Sequence, residues 1–355
     1  MKKLLAIMVT VLLVVSAFVA CSPTPAATAP SDSQQSAQTS AQDLANAAAA
    51  GALAAGKDVS NQRYIMCSYN STEYYQSVLW QGFKDAADML GVKAELYGGS
   101  GEDILQYISL FDQAAASDPC GIAVMCLDAG AYVDSINAAR DKGLPVFVCA
   151  PDSPNSKRNC FLGLDNIAIG KFAGQYIGEQ VGDGGEWLVL VRPGMQTCQD
   201  RLAGFEEYVK ANYPNVKIDV IQVSLDITEQ TAKASAALSA NPNYSAVYCP
   251  LGWQAVSVSQ AIDELGYNRI PILGMDVELA QLELIKEGKL MATLKQGNYD
   301  QGFWACLGMY LIENGYVEED YFPAKINPGY HIVDKSNVDE EIEYYYRFNP
   351  DAKKN

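Results

Sequence analysis

The residues that could do chemistry in this 355-residue chain are unevenly supplied. His331 is the one histidine, and it stands near the end. Neither G-x-S-x-G nor H-E-x-x-H occurs, so no serine nucleophile with its base and no zinc-hydrolase helix is legible. Acid–base work would fall to carboxylate pairs alone, and we expect no enzyme. The nine cysteines form no C-x-x-C pair and match no zinc spacing, so neither a metal nor a cofactor is expected. Cys67, Cys126, Cys149 and Cys249 end apolar, strand-like runs, which reads as buried small hydrophobes. If most of the thiols beyond Cys21 stay free after export, the surroundings are reducing or anoxic.

Cys21 stands apart. Lys2 and Lys3 precede an almost wholly apolar run from Leu4 to Val19, and Ala20 then leads into Cys21. The run is short for a membrane span and ends in a cleavage pattern, so residues 1–20 read as an export signal. The segment resembles a bacterial lipoprotein signal, which implies lipid on Cys21 and a membrane anchor that does not span. Residues 21–60 are rich in Ser, Thr, Pro, Gln and Ala beyond that cysteine and lack aromatic residues, as a flexible tether would. A formal net charge of −17 argues against nucleic acid and anionic lipid surfaces as partners.

Beyond the tether, short apolar runs alternate with amphipathic ones. Strands are expected at 63–68, 93–97, 122–127, 146–149, 187–192, 218–223, 246–249 and 272–275. Helices are expected at 76–90, 166–181, 199–213 and 254–265, the first with Val78, Leu79, Phe83, Ala86, Ala87 and Leu90 on one face. Gly91, Gly143 and Gly266 follow helices, where a left-handed cap suits glycine. This order predicts an α/β protein with two doubly wound parallel sheets, and ligands beyond the carboxyl ends of the strands.

From about residue 62 to 337 the chain resembles the sugar-type, type I periplasmic binding proteins of ABC transporters, the class of the ribose and galactose binders. The motifs run in order: Glu73-Tyr74-Tyr75 before a helix ending at Gly91, the Pro145–Arg158 segment, Gly163-Leu164-Asp165-Asn166, Arg201-x-x-Gly204-Phe205, Leu273-Gly274-Met275-Asp276, and Ala292–Gln296. The resemblance implies two Rossmann-like lobes joined by three crossings, near Asp165, Gln296 and Ala324. The amino-terminal lobe would comprise 61–164 and 297–324, and the carboxyl-terminal lobe 165–296 and 325–355. It also implies a monomer that captures a sugar or polyol in the interlobe cleft and delivers it to an ABC permease. A sensor presenting its loaded form to a membrane receptor is the alternative.

The same resemblance assigns ligand-binding roles. Arg201 would donate to hydroxyls, Asp276 would accept from them, and Gln296 would serve as the hinge-side amide. Tyr75 would stack on the sugar face. Outside the family pattern, Tyr69 and Trp253 stand nearby as replacement stacking faces, with Trp253 reading equally well as packing. Glu73 stands where relatives carry Asn or Asp and reads as a hydroxyl acceptor or a solvated loop carboxylate. Asp152 falls on the second Asp of the family segment, with Ala150 on the first, and reads equally as a ligand carboxylate or as a turn residue beside Pro151 and Pro154. Leu251 and Leu225 stand where relatives carry an asparagine and a stacking tryptophan. The tail from Val333 is expected to form a strand, then a short helix on the second lobe.

Overall fold

The computed structural model describes residues 59–349, except 70, 72, 100–102, 127 and 129. The expected signal, Cys21 and the tether to residue 58 lie outside the described residues.

The first sheet is built from β1 (Arg63–Ser68), β2 (Lys93–Gly98), β3 (Gly121–Met125), β4 (Val146–Cys149), β5 (Cys160–Leu162) and β11 (Lys325–Ile326). Its order is β11-β5-β4-β3-β1-β2, with every pairing parallel. The second contains β6 (Glu186–Val191), β7 (Lys217–Gln222), β8 (Tyr244–Tyr248), β9 (Ile272–Met275), β10 (Ala292–Gln296) and β12 (Tyr330–Asp334). Its order is β12-β10-β9-β8-β6-β7, and only β12 runs antiparallel. Central strands such as β3 and β4 are buried at every position, because helices cover both faces of a parallel sheet. The edge strands β2 and β7 mix exposed and half-buried residues and carry charge, which discourages edge-to-edge pairing.

The helices of the first lobe are α1 (Tyr74–Leu90), α2 (Ile104–Ala116), α3 (Val133–Arg140) and, after the second crossing, α9 (Asn298–Glu313). Those of the second are α4 (Asn166–Val181), α5 (Gln196–Asn212), α6 (Ile227–Ala240), α7 (Gln254–Leu265), α8 (Leu279–Lys286) and the terminal α10 (Val338–Phe348). Gly91 and Gly266 cap α1 and α7 in the left-handed conformation, with φ of 72° and 68°, and Gly143 has φ of 83°. One helix pair in each lobe crosses on glycines. A Cβ on Gly82 of α1 would strike the Tyr299 carbonyl of α9, and one on Gly302 would strike the Leu79 carbonyl. In the second lobe Gly170 of α4 meets the Arg201 carbonyl and Gly204 of α5 meets the Ile167 carbonyl in the same way.

The chain crosses between sheets after Leu162 and after Gln296, near the positions expected. The third crossing differs. Lys325 and Ile326 pair with Phe161 and Leu162 in the first sheet, so it falls between Ile326 and Tyr330 instead of near Ala324. The two-residue β11 has no sequence periodicity of its own and is set by its neighbour strand. Cys67, Cys126, Cys149, Cys160, Cys198, Cys249 and Cys306 are buried free thiols, and Cys120 is half-buried. Among the described residues no helix is long and apolar enough to cross a membrane.

Candidate ligand-binding site

Each sheet reverses its winding at one place: between β1 and β3 in the first lobe and between β6 and β8 in the second. At such points the loops leaving the carboxyl ends diverge and open a crevice. The loop after β1 carries Tyr69 and Glu73. The second lobe offers Arg192 after β6, Trp253 after β8, Asp276 after β9 and Gln296 at the end of β10.

Asp276 is the centre of this group. Its N–H donates to the Leu294 carbonyl at 2.8 Å, and Thr293 Oγ1 donates to its carbonyl at 2.7 Å. Pinned from both sides by β10, it holds φ at 69°, a left-handed conformation costly for a non-glycine residue and typical of functional positions. It does not cap the next helix, since Glu278 occupies that position on α8. Gln296 Nε2 donates to Asp276 Oδ1 at 2.6 Å, a side-chain bond and not one to backbone. Burial raises the Asp276 carboxyl above its ordinary range, opposed by the Arg201 charge, the Gln296 bond and the Gly252 N–H. A Cβ on Gly252 would crowd Asp276 Oδ2 at 3.1 Å, so glycine admits the carboxylate.

Arg201 is buried on α5 at 4% exposure. Its Nε donates to Asn166 Oδ1 at 3.0 Å and its Nη1 to the Pro250 carbonyl at 2.5 Å. Neighbouring carboxylates do not claim it: Asp200 accepts from Gln196 and Glu206 from Lys210. The guanidinium is thus fixed at one edge by neutral acceptors, and its positive charge is directed to Asp276.

The first lobe faces this group. Burial lifts the Tyr75 hydroxyl above its ordinary range, and the Asp276 charge adds to the effect. Tyr75 also donates to Gln301 Oε1 at 3.1 Å. Tyr69 is raised by burial, then by Glu73 and Asp276, and lowered by Arg192. Its ring meets Tyr107 edge-on at 6.3 Å. Glu73 ends the loop as the N-cap position of α1 and makes no side-chain cap bond there. Trp253 opens α7 with φ of 67° and is 38% exposed, so it is not a core residue.

Asp152 behaves differently. Arg158 grips both of its oxygens, at 2.5 and 2.8 Å, in the loop between β4 and β5. This geometry makes it a loop-ordering carboxylate. Three neighbours went unmarked in the sequence: Arg192, Asn166 as the acceptor that orients Arg201, and Glu278. Burial, then Asp276 and Glu73, raise the Glu278 carboxyl to about 7. A cavity of about 330 Å³ lies at the crossings, and Gln296 is the single expected ligand residue among those lining it. Among the described residues no His, Cys, Asp or Glu cluster could hold a metal.

Two six-stranded, helix-covered sheets, three crossings and a polar group between facing strand ends define a two-lobed α/β binding protein. Residues 64–315 match the family described as "Periplasmic binding protein domain", and the chain belongs to that family. It is 25% identical over 266 residues to the D-allose-binding periplasmic protein of Escherichia coli, covering 72% of this chain and 84% of that one. It is 24% identical over 276 residues to the xylose/arabinose-binding protein XylF of Sulfolobus acidocaldarius, covering 72% and 67% respectively. Among solved structures it resembles a sugar ABC transporter's sugar-binding protein from Bacillus halodurans, with 29% identity and a TM-score of 0.76. That match covers 80% of this chain and all of the other.

Proposed function

We propose that this protein captures a monosaccharide or polyol between its lobes and delivers it to an ABC permease. The observation that carries the reading is the Asp276–Gln296–Arg201 group, faced by Tyr69 and Tyr75 from the opposite lobe. Charged donors and acceptors suit hydroxyls, and flanking rings suit the C–H face of a sugar. The relatives named for allose, and for xylose and arabinose, support the same ligand class. Leu251 and the exposed Leu225 provide no polar contact, which favours a ligand with fewer hydroxyls on that side.

A thermal-shift panel of pentoses, hexoses, polyols, nucleosides and amino acids tests the class. Ligand at a hundred times its dissociation constant adds about 2.7 kcal/mol to a state that alone binds it. Stabilisation by sugars or polyols is expected; stabilisation by nucleosides or amino acids alone contradicts the reading. The protein acts outside the cytoplasm as a monomer, tethered through lipid on Cys21. Cys21→Ser is expected to release it from the membrane fraction, and retention of that variant there would refute the anchor.

A further inference from the structure

The expected place of α10 was on the second lobe, and it is fastened there. Val338 is buried, Lys286 Nζ meets Asp339 Oδ1 at 2.6 Å, and Lys295 Nζ meets Glu341 Oε1 at 2.6 Å. Its outer face does something further: it reaches the first lobe. The Tyr345 ring stacks on Tyr74 with centroids 4.2 Å apart and planes 29° from parallel. Phe348 lies against Tyr299 at 5.9 Å, and Tyr299 in turn donates to Asp85 of α1 at 2.8 Å. Tyr74 and Val78 of α1 belong to the same apolar cluster as Val277, Leu282 and Val338 of the second lobe. Tyr74 is 6% exposed and sits between the cleft residues Glu73 and Tyr75. Any rotation that draws the first-lobe face of the cleft away from Asp276 acts on the segment this stack grips.

We propose that the terminal helix α10 is an interlobe clasp, and that Tyr345, stacked on Tyr74, is a positioning residue that sets how long the closed cleft retains its ligand. It touches no ligand. It stabilises the arrangement in which Tyr75 and Tyr69 face Asp276, so its contribution belongs to escape more than to entry. An offset-stacked pair accounts for a change of roughly two- to tenfold in the open–closed ratio. Only ligand retention depends on the binding reading above; the lobe arrangement of the unliganded protein does not.

The test uses the full chain with Tyr345→Ala, Tyr345→Leu and Tyr345→Phe. Stopped-flow with whichever sugar or polyol stabilises the wild type measures both rate constants. Solution X-ray scattering without ligand measures the radius of gyration. The clasp predicts dissociation faster by roughly two- to tenfold in the Ala and Leu variants, association nearly unchanged, and Phe close to wild type. It also predicts a larger mean radius in the truncated variants at unchanged helix content. Folded Ala and Leu variants with wild-type dissociation and wild-type radius overturn the proposal. So does a slowing confined to association. If no sugar or polyol binds the wild type, the ligand reading fails, and the scattering comparison still decides the clasp.

Discussion

Glu278 couples the site to pH. Burial, then Asp276 and Glu73, raise its carboxyl from 4.5 to about 7, so the fold prefers it protonated. The stability this group contributes is complete below 4.5 and is lost as pH rises through 7. The melting temperature is expected to fall over that window in the wild type, and Glu278→Gln should flatten the fall. An equally steep fall in the variant would assign the dependence elsewhere. The sequence marked Asp276, Arg201 and Gln296 because each sits in a motif of several fixed residues. It did not mark Glu278, which stands two residues beyond the Leu273–Asp276 motif and outside every other. It did not mark Arg192, which ends an apolar strand with no motif around it. Asp152 read equally well as a ligand carboxylate or as a turn residue beside Pro151 and Pro154, and Arg158, six residues on, holds both of its oxygens. Partner choice among nearby charges is a matter of loop conformation, which spacing alone does not specify.

The elements were more legible than their contacts. Buried parallel strands are near-continuous apolar runs, so the eight expected strands all appear, three with the expected bounds and five with ends displaced by one or two residues, as ladder pairing extends or trims them. The three-residue β5 and two-residue β11 carry too little pattern to be read and exist because β4 and β5 offer an edge. The glycine crossings supply the reason for Gly204 in the arginine motif. Gly170 and Gly204 let α4 and α5 approach at the Arg201 and Ile167 carbonyls, and Asn166 at the start of α4 then reaches Arg201 Nε. Gly204→Ala must push the helices apart at backbone, which costs about 1–3 kcal/mol for an overpacked contact. Denaturant unfolding should register that loss, with ligand affinity falling further than stability because the Asn166–Arg201 bond lengthens. A stable Gly204→Ala protein with wild-type affinity would show that the crossing does not position Arg201.

Across the whole molecule, the three crossings join the two sheets, and the proposed site draws its residues from both lobes. Tyr69, Glu73 and Tyr75 come from one lobe, and Arg192, Arg201, Asp276 and Gln296 from the other. The central claim is that a sugar or polyol is held by this joint site through Asp276 and Arg201. Isothermal titration of the wild type, Asp276→Asn and Arg201→Ala with the best-stabilising sugar or polyol tests it most directly. The account predicts one site per chain in the wild type. It predicts affinity about tenfold or more weaker in each variant, the loss of a charge-assisted hydrogen bond. Full affinity in both folded variants would contradict it.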